Sequence, residues 1–244
     1  KLRQTIKSAM TYPVAVLIMA ILAVIGMILF IVPVFQGMFD GFDAALPAPT
    51  QFLVTISENM VWILPVLIVG TLVFTVWWRA NKRKDEVRSV VDRMKLKMPV
   101  FGELFRKVAI ARFSRNFATM MGSGVPVLQS LSIVGETSGN WVIEQALVKV
   151  QESVRTGNSI AAPLASEPVF PEMVTQMVAV GEDSGSLEIM LTKIADFYDE
   201  EVQSTAESLT ALIEPLMIGL IGGIIGGMII ALYMPVFTIF EQLQ

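Results

Sequence analysis

The sequence predicts an all-α fold: a polytopic membrane protein with three transmembrane helices and a helical-bundle cytoplasmic domain. Hydrophobic residues make up 54% of the 244 residues and charged residues only 16%, which is too apolar for an ordinary soluble domain of this length. Three long stretches contain no Asp, Glu, Lys or Arg. The more polar remainder has helical periodicity, and no sustained alternation typical of strands competes with it.

An internal repeat relates the first and third predicted spans. Pro13 and Pro33 bracket nineteen uncharged residues, and Pro215 and Pro235 bracket nineteen more. Both second prolines begin the tripeptide Pro-Val-Phe, and a shift of 202 positions superimposes the two segments. Nineteen helical residues rise about 28 Å, close to the thickness of the hydrocarbon core of a bilayer. The chain therefore carries a duplicated transmembrane element.

The limits of the spans follow from the charged residues, which are absent from 8–39, 59–78 and 215–240. A charge at the centre of a membrane helix costs about 2.5–3.5 kcal/mol, whereas each Leu, Ile, Val or Phe returns about 0.3–0.6 kcal/mol. The uncharged stretches thus predict transmembrane helices at 13–35, 59–78 and 215–239. The alternative is a buried helix of a soluble protein, but such helices rarely run for twenty residues without a charge.

Lys and Arg residues predict the orientation. They flank the first two spans and are absent between residues 8 and 78, where Asp40, Asp43 and Glu58 lie. The basic residues concerned are Lys1, Arg3, Lys7, Arg79, Lys82, Arg83, Lys84 and Arg88. The positive-inside rule places the N-terminus in the cytoplasm and the 36–58 loop outside. By counting, the third span begins inside, and the tail 240–244 is external.

The segment 79–214 is predicted to form a cytoplasmic helical domain of about six helices, long enough to bury its own core. Apolar residues recur at helical spacing, as at Phe113, Phe117 and Met120. Glycines and prolines interrupt this pattern where helices are expected to end. The last helix, from about Ser186, is expected to continue into the third span.

One acidic turn is the most specific-looking stretch of the soluble segment. Its residues are Gly181, Glu182, Asp183, Ser184, Gly185 and Ser186. A local explanation suffices: a glycine ends one helix, a serine caps the next, and acidic residues favour its N-terminal end. The paired carboxylates here or at 199–201 could instead bind a divalent cation, although such pairs more often lie on a solvated helix face. No metal or cofactor site is predicted.

A stripe of small residues follows one side of the third span. Gly219, Gly223, Gly227 and Ala231 fall every four residues, beside a parallel row of glycines. Small side chains at this spacing allow another helix to approach closely. The stripe is therefore a predicted helix-packing surface, either within one subunit or, as we favour, against another span of the assembly.

The composition argues against several classes of function. With no histidine and no cysteine, the chain lacks the commonest general base, the commonest metal ligand and any disulfide. It has no P-loop motif, and its net charge of −4 gives no electrostatic reason to bind nucleic acid. An enzyme is therefore not expected. A transporter or channel component is the alternative. It needs polar groups at the midplane of the bilayer, and only Thr71 and Thr75 in the second span offer any.

A series of short motifs, spread over nearly the whole chain, resembles the polytopic inner-membrane platform proteins of type II secretion systems and type IV pilus machines. In order, the motifs are Tyr12-Pro13, Pro33-Val34-Phe35, Leu46-Pro47 with Thr50, Pro99-Val100-Phe101-Gly102, Ala111-Arg112-Phe113, Ser123-Gly124-Val125-Pro126-Val127, Phe170-Pro171, Gly181 to Leu187, Glu214-Pro215 and Tyr233-Met234-Pro235-Val236-Phe237. Each motif is short, but their order and spacing together are specific.

The resemblance implies two homologous helical cytoplasmic domains, each ahead of a span, and three spans in all. It also implies a homo-oligomer, a dimer or larger, that contacts a cytoplasmic hexameric assembly ATPase and other inner-membrane components of the machine. Such proteins help to move pilin or pseudopilin subunits from the bilayer into a filament. Residues 1–12 would then be the end of a truncated first cytoplasmic repeat, with about 100 further residues expected upstream.

Four basic residues beside the second span have two possible roles. Arg79, Lys82, Arg83 and Lys84 could dock the ATPase that the resemblance implies. Their more ordinary role is to bind anionic lipid and set the topology. The sequence leaves both roles open.

Overall fold

The structure, a computed structural model, describes residues 2–40 and 46–242. Within these ranges every regular element is a helix, so the all-α prediction is confirmed. The helices are α1 (Leu2–Gly26), α2 (Val32–Asp40), α3 (Ala48–Asn81), α4 (Asp85–Lys97), α5 (Phe101–Gly122), α6 (Val127–Thr137), α7 (Trp141–Arg155), α8 (Ala161–Ala165), α9 (Glu172–Asp183) and α10 (Leu187–Gln242). A π-helical segment, Met27–Ile31, joins α1 to α2.

Three stretches of helix are long and apolar enough to cross a membrane, as predicted. They are Lys7–Met38, Ala48–Asn81 and Leu187–Phe237. The third belongs to α10, which continues past Pro215 and also past Pro235. Prolines are tolerated inside membrane helices because neighbouring groups can satisfy the backbone carbonyls that they leave without a donor.

The predicted loop 36–58 is shorter than expected, because α2 continues to Asp40 and α3 already begins at Ala48. Leu53 and Val54 are buried on one face of α3, which explains why this stretch is helical. The sequence-based limits came from charged residues, and a charge such as Glu58 can lie on the exposed face of a helix. Lys1, Asp43 and the last two residues of the tail 240–244 lie outside the described residues.

The chain divides into two compact units. The first comprises Lys1–Lys7 with Ala80–Leu209, and the second comprises Ser8–Arg79 with Thr210–Gln244. The first unit therefore contains six complete helices, α4 to α9, and the first part of α10.

The core of the first unit is built around α5. Phe113 and Phe117 are fully buried, as their spacing predicted, with ring centroids 5.8 Å apart. The ring of Phe170, in the connection between α8 and α9, lies 5.3 Å from that of Phe113. Further fully buried side chains come from α6, α7, α8 and α10: Leu131, Leu147, Leu164, Leu191 and Ile194. Burying such side chains is worth about 1.5–3 kcal/mol each.

Glycine ends three of these helices in the same way. Gly124, Gly157 and Gly185 follow α5, α7 and α9 with φ angles of 74°, 85° and 67°. After each, the chain makes the paired hydrogen bonds of a Schellman motif, which satisfy carbonyls at the helix C-terminus. At the N-terminus of α7, the Asn140 side chain accepts a hydrogen bond from the Val142 N–H (2.9 Å) and caps the helix.

Candidate functional site

The repeated prolines of the second unit each leave a backbone carbonyl without its helical donor. Pro235 has no N–H, so the carbonyl of Ala231, four residues earlier, cannot form the usual helical hydrogen bond. The side-chain hydroxyl of Thr50, on α3, donates to this carbonyl. Thr50 is only 1% exposed, so its hydroxyl, and not water, takes the place of the N–H that Pro235 lacks.

A similar arrangement occurs at Pro33, the corresponding proline of the first span. In the π-helical segment the Val32 N–H bonds to Met27, five residues earlier. The same pattern would pair the Ile28 carbonyl with residue 33, which is a proline and has no N–H. The hydroxyl of Ser57, also on α3, donates to the Ile28 carbonyl at 2.7 Å. Helix α3 thus supplies a hydrogen-bond donor to the carbonyl left without one in each half of the repeat.

Apolar packing surrounds these two hydrogen bonds. The buried cluster consists of Ile28, Val32, Leu53, Val54, Met60, Met228, Ala231 and Leu232. At its edge, the rings of Phe35 and Tyr233 meet edge to face with centroids 5.9 Å apart. In the sequence Thr50 is part of a motif, and Ser57 belongs to none of the motifs. The available signal was a hydroxyl residue on the apolar face of a helix in a chain with repeated membrane prolines.

The rest of α3 has little packing within the chain. Trp62 is 74% exposed, and most residues from there to Trp77 are also exposed. The hydroxyls of Thr71 and Thr75 donate to the carbonyls of Leu67 and Leu72 in the same helix. These hydroxyls are therefore already used in local bonds.

The predicted stripe of small residues divides into two parts. A Cβ built on Gly219, Gly223 or Gly227 would have no heavy atom within 4 Å, so these three glycines lie on an open face. Ala231, in contrast, is buried in the cluster shared with α3. The glycines therefore do not pack against other helices of this chain within the described residues, and contact with another chain stays a prediction.

The basic cluster follows the exposed part of α3. Arg79 lies in the last turn of that helix, and Lys82, Arg83 and Lys84 lie in the turn before α4. All four are exposed, and none makes a salt bridge within the residues described. In the preceding turn, the rings of Phe74 and Trp78 stack with centroids 6.2 Å apart. Aromatic residues followed by free cations are typical of a membrane–water interface.

The acidic turn is the Schellman motif at the end of α9. The Ser186 N–H bonds to the Gly181 carbonyl (2.9 Å), and the Gly185 N–H bonds to the Glu182 carbonyl (3.3 Å). A Cβ on Gly181 would lie 3.0 Å from the Cα of Leu187, so a larger residue would force α10 to shift by a few tenths of an ångström. The hydroxyl of Ser184 lies 2.6 Å from that of Ser186.

The carboxylate of Glu182 has a role that the sequence did not indicate. It accepts hydrogen bonds from the Ile160 N–H (2.8 Å) and the Ala161 N–H (3.2 Å), at the beginning of α8. Acidic residues of this turn were expected to favour the start of α10. Ile160 and Ala161 precede Glu182 by 22 and 21 residues in the sequence, so only the folded chain shows these contacts.

Two of the acidic residues at 199–201, Asp199 and Glu201, face basic residues of α5. Asp199 lies 3.0 Å from the Arg115 guanidinium, and Glu201 lies 2.8 Å from the Lys107 ammonium. The Arg115 guanidinium donates hydrogen bonds to Asp196 and to Asp199, and these bonds, the one to Asp196 above all, raise the pKa of Arg115. In the part of the chain that the structure describes, no three acidic side chains converge as a metal site requires. These carboxylates instead join α5 to α10.

Known proteins are similar to this chain over a region that includes the acidic turn and Pro235. The sequence profile of the family described as Type II secretion system (T2SS), protein F, matches residues 113–235. This region extends from the middle of α5, through the acidic turn, to the second Pro-Val-Phe proline, and it covers half of the chain.

Curated relatives extend the similarity to nearly the whole sequence. The chain is 42% identical over 248 residues to the type IV pilus assembly protein PilC of Myxococcus xanthus, covering 100% of this chain and 58% of the relative. It is 40% identical over 240 residues to the PilC protein of Pseudomonas aeruginosa, covering 98% and 64%. It is 32% identical over 236 residues to the type II secretion system protein F of Vibrio cholerae, covering 97% and 58%.

The chain therefore spans about 58–64% of the length of these relatives. The resemblance inferred from the motifs is confirmed, since proteins of both kinds match the same segment. On this evidence the chain belongs to the family of type II secretion system protein F, which includes the PilC proteins of type IV pilus assembly.

Proposed function

We propose that the chain is an inner-membrane platform, or scaffold, of a type IV pilus or type II secretion machine. In this role it couples a cytoplasmic assembly ATPase to the insertion of pilin-like subunits into a filament. The observation that carries the proposal is the similarity, over 97–100% of the chain, to proteins named for these two machines.

The continuity of α10 supports a mechanical role. This single helix begins in the soluble bundle and includes the third membrane-spanning stretch, with no loop between them. Its soluble part is held to α5 by the ion pairs of Arg115 and Lys107. A displacement of the bundle by the ATPase would therefore be passed directly to a helix lying in the bilayer.

The proposed orientation follows from charge. The soluble segment 79–214 lies in the cytoplasm, the 36–58 segment lies outside, and the chain ends outside. The basic cluster then faces the cytoplasm, where an ATPase or anionic lipid headgroups can reach it. The three open glycines of α10 are available to a second copy of the chain or to another span of the machine.

The proposal is tested by disrupting the gene in its own organism and isolating the tagged protein from crosslinked native membranes. Loss of surface filaments or of secretion, with restoration by the wild-type gene, is the expected result, together with recovery of a hexameric ATPase and pilin-like subunits. Normal filaments and normal secretion in the disrupted strain would overturn the proposal. The transporter alternative predicts solute flux into liposomes that contain the purified protein, and the platform role predicts none.

A further inference from the structure

A groove lies between α1 and α10 within the second unit. Its volume is about 360 Å³. The lining residues are Tyr12, Pro13, Val16, Thr210, Ile213, Glu214, Met217, Ile218, Ile221 and Gly222. The lining is apolar along most of its length, and among the described residues that line it only Glu214 is charged. A volume of this size is within the range of sites that bind small molecules.

The chemistry of the groove favours a hydrocarbon chain. Most of the lining side chains are apolar, so an acyl chain lying along the groove leaves no polar group without a partner.

The depth of the groove also indicates a lipid. Glu214 immediately precedes Pro215, where the uncharged part of α10 begins, and the groove ends at Gly222. Residues 215–222 rise about 12 Å along the helix, close to half of the roughly 30 Å hydrocarbon core. A partner's transmembrane helix would need a surface of the full thickness, whereas an acyl chain occupies one leaflet.

The polar end of the groove indicates the headgroup. The Glu214 side chain is exposed, and no cation pairs with it among the described residues. A carboxylate at the edge of the bilayer is complementary to a cationic headgroup and repels a purely anionic one. Tyr12, which is 59% exposed at the same end, can donate its hydroxyl to a phosphate. The hydroxyl of Thr210 already donates to the Ala9 carbonyl (3.5 Å).

We propose that this groove binds one phospholipid with a primary ammonium headgroup, phosphatidylethanolamine, whose acyl chain lies between α1 and α10. The ammonium group pairs with Glu214, and the Tyr12 hydroxyl donates to the phosphate. This binding goes beyond the proposed platform function and does not depend on an ATPase or a pilin. It would hold α1 and α10, the two halves of the repeat, together in one leaflet.

The headgroup contact is tested by native mass spectrometry of the purified protein, mixed with equal amounts of phosphatidylethanolamine and phosphatidylglycerol. We expect the wild type to retain phosphatidylethanolamine preferentially and Glu214→Gln to retain about tenfold less, because the ammonium group loses its charged partner. The control Glu207→Gln changes another exposed carboxylate of α10 outside the groove and should have no effect. Equal retention of both lipids, unchanged by Glu214→Gln, would overturn the proposal.

The acyl-chain contact is tested separately by filling the groove. A leucine at Gly222 would project into open space, because no heavy atom lies within 4 Å of a Cβ there. Gly222→Leu should displace the lipid while the protein remains folded, as judged by circular dichroism and elution volume. The matched control is Gly70→Leu, on α3, where a Cβ also meets no atom.

The site is mapped with phosphatidylethanolamine that carries a photoactivatable acyl chain, in vesicles of phosphatidylcholine. Crosslinks should fall on peptides of α1 and α10 in the wild type and in Gly70→Leu, and they should be lost in Gly222→Leu. Crosslinks spread over all three spans would identify ordinary surrounding lipid and overturn the proposal. Protein-to-protein crosslinks from groove residues in native membranes, without lipid crosslinks, would assign the groove to a partner and likewise overturn it.

Discussion

The hydroxyl of Ser57 donates a 2.7 Å hydrogen bond to the backbone carbonyl of Ile28. That carbonyl lacks a helical donor because the π-helical segment brings it opposite Pro33. Thr50, two turns earlier on α3, does the same for the Ala231 carbonyl opposite Pro235. The duplicated Pro-Val-Phe elements are therefore complemented by one helix, α3.

We predict that Thr50→Val destabilises the protein by about 1–2 kcal/mol, because it leaves the buried Ala231 carbonyl without a partner at nearly constant volume. In a Pro235→Ala background the residue at 235 regains an N–H, so the same substitution should cost less. Reversible unfolding in bicelles measures the coupling, which we expect to be about 1 kcal/mol.

Ser57→Ala provides the matched comparison. It should destabilise by a similar amount, but Pro235→Ala should not relieve it, since Ser57 serves the other proline. Additive effects of Thr50→Val and Pro235→Ala would show that the hydroxyl does not compensate for the proline.

We predict that Glu182→Ala destabilises the first unit by about 1–3 kcal/mol, because the Ile160 and Ala161 N–H groups lose their acceptor. Glu182→Gln retains one acceptor oxygen and should have a smaller effect. Thermal unfolding followed by circular dichroism is the measurement. Asp183→Ala, at the exposed neighbouring position, is the control, and equal losses in both variants would rule out a specific role for Glu182.

The Lys107 network predicts a pH dependence of stability. Partial burial alone would lower the pKa of the Lys107 ammonium, but hydrogen bonds to Glu103 and Glu201 raise it overall. The hydrogen bond from Lys107 lowers the pKa of Glu103 below its ordinary 4.5. A lowered carboxyl pKa stabilises the fold above about pH 4.5, and this contribution is lost as the pH falls toward the folded-state pKa. A raised ammonium pKa stabilises the fold below pH 10.5 and is lost above it.

The test compares Lys107→Met with the wild type across this range. The variant should be less stable near neutral pH, and its stability should fall less steeply below about pH 4.5. Because Glu103 is largely exposed, its share of the effect is small. Arg155→Met breaks a pair whose two side chains are both more than 60% exposed and serves as the control. Parallel pH curves for Lys107→Met and the wild type would contradict the prediction.

The basic cluster gives a prediction about partners. Replacing Arg79, Lys82, Arg83 and Lys84 with Gln should leave membrane insertion intact, because three apolar helices remain, and should reduce recruitment of the assembly ATPase. Co-purification from crosslinked membranes is the measurement. Lys193→Gln, at another exposed basic site, is the control. Unchanged recruitment would end the docking hypothesis and leave lipid anchoring as the role of the cluster.

Sequence reasoning succeeded where one local property decides the structure. The uncharged stretches around Pro13 and Pro215 are helical because backbone polar groups in hydrocarbon must bond to one another, and a glycine at 185 readily adopts the positive φ of the turn. It was less successful where the outcome depends on distant partners. Glu182 bonds to a segment 22 residues away, and Thr50 to a carbonyl 181 residues away. No periodicity reports such contacts.

The stripe of small residues shows the same limit within one helix. Gly223 and Ala231 occupy equivalent positions along α10, yet one is open and the other is buried against α3. Spacing alone indicates a surface that admits a helix. The part of α10 that α3 covers depends on how far the contact between these two helices extends. That extent is a property of the folded unit.

The last prediction concerns the open glycines. Gly223→Leu should leave the fold unchanged, because no heavy atom lies within 4 Å of a Cβ at this position, but it should push away a helix of a second subunit. We therefore expect weaker oligomerisation in detergent, measured by light scattering, with normal insertion. Gly70→Leu places the same bulk on α3, at another position without neighbours, and should leave the oligomer unchanged. If both variants kept the wild-type mass, the glycine stripe would face lipid, and subunit contacts would have to lie elsewhere.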